Sequence, residues 1–302
     1  MVATSLLDLI GGTPLVELRR IAPEGRTIYA KLEGQNPTGS IKDRVALAMV
    51  EAAQLEPGRE LLEPTSGNTG ISLALVAKLK GHHLTCVMPA NATPERRALL
   101  ELYGATIVES PGAEGSNGAV RLAQEIADRD DRFVMLFQYA NDANPRAHYE
   151  GTGAEIAREL PRVDAVVAGL GTGGTLMGAG ARIREAFPGA QVIAAEPLPG
   201  DPVMGLRSLD EGYVPPILDV GALDRKLLVS NAEAAAAARA LLDREGLFAG
   251  VSSGAAVHVA RRIAEELPEG AVVVAILADG GWKYLSAEFW RGEEIDEAVL
   301  WW

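Results

Sequence analysis

A lysine stands at an unusual place in the stretch "NPTGSIKDR", residues 36–44. Ser40 is a good helix N-cap, and Asp43, three residues later, completes an S-x-x-D capping box, so a helix is predicted to begin at Ile41. Lys42 then lies in the first turn, where the positive end of the helix dipole opposes an ammonium ion. A solvated lysine is the ordinary alternative, but this position favours a neutral amine that can act as a nucleophile.

The stretch "EPTSGNTGIS", residues 63–72, joins a predicted strand to a predicted helix. Its glycines let the backbone turn N–H groups inward, and at a helix N-terminus such groups bind a carboxylate or a phosphate. An ordinary capped loop would use the same turn-forming residues. The small polar side chains directly before an apolar helix favour the anion site. These side chains belong to Thr65, Ser66, Asn68 and Thr69.

A second glycine-rich loop, "GLGTGGTLMG" at residues 169–178, follows the predicted strand "DAVVA" and also opens a helix. Its glycines permit close approach of the backbone to a phosphate. The loop also satisfies G-x-G-x-x-G, and Glu196 ends the next predicted strand near the distance expected for a ribose-binding acid. A nicotinamide-dependent dehydrogenase is therefore an alternative at this point.

A third loop, "FAGVSSGAAVH", carries Ser252 and Ser253. Either serine could cap the helix that follows or offer a hydroxyl group to a ligand. Together the three loops and Lys42 provide a reactive amine, two anion sites and a hydroxyl group. Pyridoxal phosphate needs this combination, because it has an aldehyde that condenses with lysine, a phosphate and a ring nitrogen that needs a partner.

These motifs, with the opening "IGGTPLVEL", resemble the cysteine synthase family of fold-type II pyridoxal-phosphate enzymes over nearly the whole chain. The dehydrogenase interpretation explains only one of them. The resemblance implies that Lys42 forms the Schiff base with the cofactor, that Asn68 bonds the ring hydroxyl and that Ser252 faces the pyridine nitrogen. It implies a phosphate site made of Gly171, Thr172, Gly173, Gly174 and Thr175. It implies a site for the substrate carboxylate made of Thr65, Ser66, Thr69 and Gln138.

Within that family the chain is most similar to the type that uses O-phosphoserine, on the stretches "ERRALLELYGA", "LRSLDEGYVP" and "ADGGWKYLS". In that type an arginine at the place of Arg207 recognises the phosphate leaving group, as a charge-assisted pair would. A solvated arginine balanced by Asp210 and Glu211 is the alternative. The implied reaction is a β-replacement that makes L-cysteine through an aminoacrylate, with sulfide or a thiocarboxylated carrier protein as the sulfur donor.

Other functions remain open at this stage. The same chemistry on O-acetylserine comes first, and a cystathionine β-synthase-like enzyme comes next. A binding protein that keeps the cleft without catalysis is an alternative from another class, and Lys42 argues against it. The serine hydroxyl expected at the ring nitrogen makes the ring a milder electron sink than a carboxylate would, which suits β-elimination and β-replacement.

The elements that must position these residues alternate between strands and helices from residue 60 onward. Continuous apolar strands separated by helices predict an α/β fold with mostly parallel sheets covered on both faces. The resemblance implies two domains with the active site in the cleft between them. The smaller domain is predicted at 36–145, and the larger at 1–35 and 146–302, with "NDANP" at a junction.

Composition limits the partners of the protein. The chain has 302 residues, 48% of them hydrophobic, and a net charge of -13, which argues against nucleic acid or an anionic membrane as the main partner. The single cysteine, Cys86, excludes an internal disulfide framework and a multi-thiolate metal site, and it is predicted to be buried in a strand. No signal peptide or membrane-length apolar run is present, so a cytoplasmic protein is expected.

The chain ends in Trp301 and Trp302. Because exposed aromatic side chains are a liability, we expect these to dock on the protein itself or on a partner subunit. The protein is expected to be a homodimer that acts on a small amino-acid substrate, with no bound metal.

Overall fold

The computed structural model describes residues 2–92, 94–285 and 290. Contacts between residues divide the chain into two units. The first unit contains residues 1–10 and 42–144, and the second contains residues 11–41 and 145–302.

The described part of the chain contains ten strands and nine α-helices. The strands are β1 Leu15–Glu17, β2 Thr27–Leu32, β3 Glu60–Pro64, β4 Leu84–Pro89, β5 Thr106–Ser110, β6 Phe133–Met135, β7 Ala165–Gly169, β8 Gln191–Pro197, β9 Arg225–Val229 and β10 Val272–Leu277. The helices are α1 Lys42–Ala53, α2 Asn68–Lys80, α3 Pro94–Tyr103, α4 Gly115–Arg129, α5 Ala143–Ala147, α6 Ala154–Glu159, α7 Gly174–Ala186, α8 Asn231–Glu245 and α9 Val251–Glu266. A π-helical turn, His148–Gly153, lies between α5 and α6.

The first unit is built on a four-stranded parallel sheet in the order β5-β4-β3-β6. Successive side chains of a strand point to opposite faces. Leu61 and Cys86 therefore pack with helices α1, α2 and α3 on one face, and Leu62 and Val87 pack with α4 on the other. The central strands β3 and β4 are buried on both faces, which explains why most of their side chains are apolar.

The second unit is built on a six-stranded sheet in the order β1-β2-β10-β7-β8-β9. All its pairs are parallel except β1 with β2. Val167 and Ala275 pack with α8 and α9 on one face, and Val166 and Val274 pack with α6 and α7 on the other. The expected α/β fold with mostly parallel sheets covered by helices is confirmed.

Three local features differ from the sequence-based expectations. Strands β1 and β2 lie in the first 35 residues, where no element was predicted. The apolar run "FVMLFQ", residues 133–138, predicts a strand of that length, but β6 ends at Met135 because Phe137 adopts a left-handed backbone conformation with φ +49°. Helix α1 begins at Lys42, one residue later than predicted, because Ile41 still donates its N–H to Ala278 O at 2.8 Å.

The bounds of the units differ from the predicted domains in two segments and at Pro145, which falls in the second unit. Residues 36–41 fall in the second unit, because Ser40 forms an antiparallel bridge with Asp279. Residues 1–10 fall in the first unit, because Leu7 and Ile10 pack against its core.

No helix among the described residues is long and apolar enough to span a membrane. Within the same residues, no cluster of His, Cys, Asp and Glu could hold a metal ion. Trp301 and Trp302, for which docking was predicted, lie outside the described residues.

A buried ion pair stabilises the second unit. Lys31 on β2 has an exposed fraction of 0%, and its Nζ lies 2.8 Å from Glu155 Oε2. Lys31 Nζ also donates to Thr13 O, and Gly12 N–H donates to Glu155 Oε1 at 2.9 Å. Because a buried charge is costly without a partner, each ion of this pair depends on the other.

We predict that Lys31→Met lowers the free energy of unfolding by about 3 kcal/mol or more, because Glu155 would keep a buried charge without its partner. Arg19→Met is the matched control, since the pair of Arg19 with Glu17 is exposed and should cost less than about 1 kcal/mol. Urea unfolding of both variants measures the difference. Equal losses in the two variants would contradict this prediction.

Candidate functional site

The loop after β3 presents several of the predicted carboxylate-binding side chains. Thr65 is buried, and its backbone N–H donates to Val87 O at 2.9 Å. The N–H of Gly67 donates to Thr65 Oγ1 at 3.4 Å. Ser66 and Asn68 are half-buried, and Asn68 is the first residue of α2. This loop therefore lies at the carboxyl end of a parallel strand and opens a helix of 13 residues, a geometry that suits an anion.

Gln138 lies beside this loop within the first unit. Its Oε1 accepts a hydrogen bond from Thr69 Oγ1 at 2.8 Å, and both side chains are buried. Because Gln138 Oε1 accepts this bond, its side-chain N–H groups are donors toward other partners. The structure thus brings together Thr69 and Gln138, which are 69 residues apart in the sequence.

Lys42 is the first residue of α1 and is half-buried. The predicted place in the first turn of a helix is confirmed. Helix α1 packs against α2 through the core that contains Val45, Met49 and Ile71. The lysine is therefore carried by a rigid, packed element of the first unit.

In the second unit, the glycine-rich loop follows β7 and opens α7. The N–H of Gly174 donates to Thr172 Oγ1 at 3.3 Å. Gly173 has φ +88°, and a Cβ there would lie 2.9 Å from Leu218 Cβ, so no larger residue fits without strain. The predicted residues Gly171, Thr172, Gly173, Gly174 and Thr175 form one continuous turn at the N-terminus of a 13-residue helix.

A histidine that the sequence analysis did not single out supports this loop. His148 is buried, its Nε2 lies 3.3 Å from Thr175 Oγ1 and its Nδ1 lies 3.1 Å from Thr152 Oγ1. It begins the π-helical turn, a rare conformation that is frequent at functional sites. No local motif marks His148, because its partner Thr175 is 27 residues away.

Arg207 lies next to the glycine-rich loop. Its backbone N–H donates to Leu170 O at 2.7 Å, and its guanidinium carbon lies 5.0 Å from the centre of the Tyr213 ring. A Cβ on Gly171 would lie 3.3 Å from Gly205 O. The loop that carries Gly205 and Arg207 therefore runs close to the glycine-rich loop over several residues. A Cβ on Gly205 would lie 4.0 Å from Ser252 Oγ, near the start of α9. The structure thus gathers Ser252, Arg207 and the glycine-rich loop within the second unit.

Glu196 has a structural role rather than the ribose-binding one that the dehydrogenase alternative required. It is buried at the end of β8, and its Oε1 accepts the N–H of Leu209 at 2.7 Å. Its Oε2 lies 2.7 Å from Lys226 Nζ. Glu196 therefore anchors the loop that carries Arg207.

Glu63 is another buried acid. Unlike Glu196, it was not singled out from the sequence. It has an exposed fraction of 0% and accepts the N–H groups of Phe137 at 2.7 Å and Gln138 at 3.1 Å. Burial raises the pKa of Glu63 to about 7, although these hydrogen bonds oppose the shift. A glutamate directly after the two leucines of the strand "ELLEP" is the signal that could have identified it.

Cys86 faces Glu63 from the neighbouring strand β4. Its thiol is buried, and burial, with a smaller contribution from the Glu63 charge, raises its pKa far above the ordinary value. A thiol that stays protonated is a poor nucleophile. The prediction that Cys86 is a buried strand residue is confirmed.

Comparison with known proteins identifies the class to which this fold and site belong. The family model described as pyridoxal-phosphate dependent enzyme matches residues 6–279. Cysteine synthase B of Pseudomonas aeruginosa is 42% identical over 289 residues, which cover 94% of this chain and 96% of that protein. The chain belongs to the fold-type II pyridoxal-phosphate-dependent enzymes.

Two solved structures from Entamoeba histolytica resemble the chain. A cysteine synthase has a TM-score of 0.92 at 31% identity, with coverage of 99% of this chain and 94% of that one. An O-acetylserine sulfhydrylase, isoform 3, has a TM-score of 0.91 at 32% identity, with coverage of 99% and 96%. Within its family the chain is an enzyme of the cysteine synthase type, and its reaction is a pyridoxal-phosphate-dependent β-replacement.

The residues of the glycine-rich loop fit the phosphate of this cofactor. The loop has small residues, backbone N–H groups at a helix N-terminus and a buried threonine, Thr172, which are the features that bind phosphate without a cation. Ser252 is buried at the start of α9 and offers a neutral hydroxyl group.

We predict that the free energy of unfolding falls as the pH rises from 5 to 8, because the buried Glu63 carboxyl group loses its proton in this range. The pKa of Glu63 is about 7 in the folded state against an ordinary 4.5, so the folded state holds this proton more tightly. The stabilisation is fully present below pH 4.5 and is lost as the pH passes 7. Relative to Glu63→Gln, the wild type should lose on the order of 2 kcal/mol of unfolding free energy across this range.

Urea unfolding of the wild type and Glu63→Gln at several pH values measures this difference. The titratable group that faces Glu63 is the Cys86 thiol, which stays protonated over the range, and the loop after β6 presents only amide groups to it. A difference between the two proteins that stayed constant with pH would contradict the assignment.

Proposed function

We propose that this enzyme makes L-cysteine from O-phospho-L-serine and a sulfur donor. The observation that carries the proposal is the position of Arg207, whose backbone bonds to Leu170 O directly before the glycine-rich loop. A guanidinium group forms strong, often bidentate, hydrogen bonds with a phosphate dianion. An acetyl ester has no such charge to hold, so an arginine at this place favours a phosphorylated donor.

The roles proposed for the remaining site residues are those that the family resemblance implies, and the chemistry of each residue suits its role. When bound, pyridoxal phosphate supplies an electron sink for the bond pair released at the substrate Cα. Lys42 Nζ would hold the cofactor through its aldehyde group, and as a free amine it would take the proton from the substrate Cα. Asn68 bonds the ring hydroxyl, and Ser252 Oγ bonds the ring nitrogen. The phosphate is held by Gly171, Thr172, Gly173, Gly174 and Thr175.

The substrate carboxylate has its own set of ligands in this proposal. Their hydroxyl and amide groups donate to the carboxylate and orient the substrate so that its Cα proton faces Lys42. Thr65, Thr69 and Gln138 are buried, so their hydrogen bonds form with little competition from water. The four residues are Thr65, Ser66, Thr69 and Gln138.

Covalent capture tests the role of Lys42. Borohydride treatment of the holoenzyme should attach the cofactor to the peptide that contains Lys42, as mass spectrometry would detect. Lys42→Ala should abolish this attachment and lower turnover by at least about a hundredfold. Lys78→Ala, an exposed lysine of the same unit, is the control and should change neither. Capture on another lysine would refute the assignment.

O-Acetylserine is the second candidate donor. The relevant observation is that one structural relative from Entamoeba histolytica is named an O-acetylserine sulfhydrylase. Both donors undergo the same reaction and differ only in the leaving group. The two leaving groups differ in charge, and the Arg207 guanidinium would distinguish them by this charge.

We predict that Arg207→Ala lowers kcat/KM for O-phosphoserine by roughly tenfold to a hundredfold, because a charge-assisted hydrogen bond of about 1.5–3 kcal/mol is lost. The value for O-acetylserine should change less than about threefold, because the ester carries no dianion. Rapid-mixing spectroscopy with each donor measures both.

Arg162→Ala is the matched control, since Arg162 lies on the surface in a pair with Asp164. Equal losses for the two donors in Arg207→Ala would overturn the phosphoserine proposal. A wild-type preference for acetylserine would do the same and leave an acetylserine sulfhydrylase.

Three further expectations rest on the sequence analysis alone. They are the sulfur donor, either sulfide or a thiocarboxylated carrier protein, assembly as a homodimer, and a cytoplasmic location. They stay predictions.

A further inference from the structure

Glu63 binds the segment that carries Gln138 through two successive backbone amides. Its Oε2 accepts the N–H of Phe137 at 2.7 Å, and its Oε1 accepts the N–H of Gln138 at 3.1 Å. The Gln138 side chain contributes a further hydrogen bond to the same carboxylate. Because Glu63 lies on β3 immediately before the loop of Thr65, one side chain connects the two segments from which the proposed carboxylate ligands come.

The segment held by Glu63 has an unfavourable backbone conformation. Phe137 has φ +49°, and a non-glycine residue in the left-handed region costs on the order of 1 kcal/mol. Such a conformation persists only where surrounding contacts enforce it. It allows the N–H groups of Phe137 and Gln138 to reach one anion, and the two oxygens of Glu63 provide that anion.

Other contacts complete the fixation of Gln138. Its carbonyl oxygen accepts from Asn144 Nδ2 at 2.9 Å, and its Oε1 accepts from Thr69 Oγ1 at 2.8 Å. Asn141 Nδ2 donates to Leu136 O at 2.8 Å, which holds the residue directly before Phe137. Glu63 is the member of this buried set whose two side-chain oxygens accept two successive backbone N–H groups, so it directly fixes the backbone at Phe137 and Gln138.

We propose that Glu63 is a positioning residue, which holds Gln138 in the orientation that binds the substrate carboxylate. This inference rests on the proposed role of Gln138. The isosteric variant Glu63→Gln keeps one acceptor oxygen but turns an NH₂ group toward a backbone N–H, so it cannot satisfy both amides. Its effect should appear in the recognition of the carboxylate.

The test compares two ligands of the holoenzyme that differ only in the carboxylate. L-Serine has the carboxylate and no good leaving group, whereas L-serinamide has a neutral amide in its place. Titration followed by cofactor absorbance gives a dissociation constant for each. Glu63→Gln should weaken L-serine about tenfold and L-serinamide less than about threefold. With O-phosphoserine, KM should rise while kcat changes less than about threefold.

Glu60→Gln is the matched control, because Glu60 lies on the same strand at its other end, near Arg132, and should leave both constants unchanged. Adding Glu63→Gln to Gln138→Ala should cause no further loss, because both act on one interaction. If Glu63→Gln is insoluble, Glu63→Asp replaces it. This variant should also weaken the binding of L-serine more than that of L-serinamide, because its shorter side chain reaches only one amide.

The outcomes separate this inference from the function on which it rests. If Gln138→Ala weakens L-serine but Glu63→Gln does not, the inference is overturned and the role of Gln138 stands. If Gln138→Ala leaves L-serine binding unchanged, the role of Gln138 fails and the inference fails with it. An equal loss for L-serine and L-serinamide in the Glu63 variants would show a purely structural residue and would also overturn the inference.

Discussion

Buried glutamate side chains that accept backbone N–H groups hold the loops on which the site depends. Glu63 binds the amides of Phe137 and Gln138, and Glu196 binds the amide of Leu209. A carboxylate removed from water is unfavourable unless donors replace the lost hydration. Backbone amides replace it here, so each loop must adopt the conformation that presents them. The same contacts that stabilise the buried charge therefore set the backbone next to Gln138 and Arg207.

The acidic charge of the protein constrains how the proposed anion sites can be built. With a net charge of -13, the chain does not attract anionic ligands over its surface. In our proposal, the two loops at the N-termini of α2 and α7 would instead bind anions with backbone N–H groups and the positive ends of two 13-residue helices. These sites carry no formal charge, and Arg207 adds a cation at one place only. Selectivity between a charged and a neutral leaving group can then depend on a single side chain.

Parallel sheets account for the placement of the site loops. Both sheets have helices packed on two faces, so side chains that bind a ligand are expected where strands end. The loops after β3, β6 and β7 carry Thr65, Gln138 and Gly171 at the carboxyl ends of their strands. This is the edge at which ligands bind in open α/β sheets. The packed helices behind these edges keep the loops in position.

The sequence by itself determined the alternation of strands and helices, the apolar character of the strands and the two glycine-rich helix starts, because these depend on local periodicity and on residue type. It also indicated Lys42 from the first turn of its helix. Only the tertiary structure decided that Thr69 meets Gln138, that His148 meets Thr175, and that Glu63 binds a strained Phe137. These partners are between 27 and 74 residues apart, and such contacts leave no local pattern in the chain. Helix α1 begins at Lys42 rather than Ile41 for the same reason, since a hydrogen bond to Ala278 competes with the local capping preference.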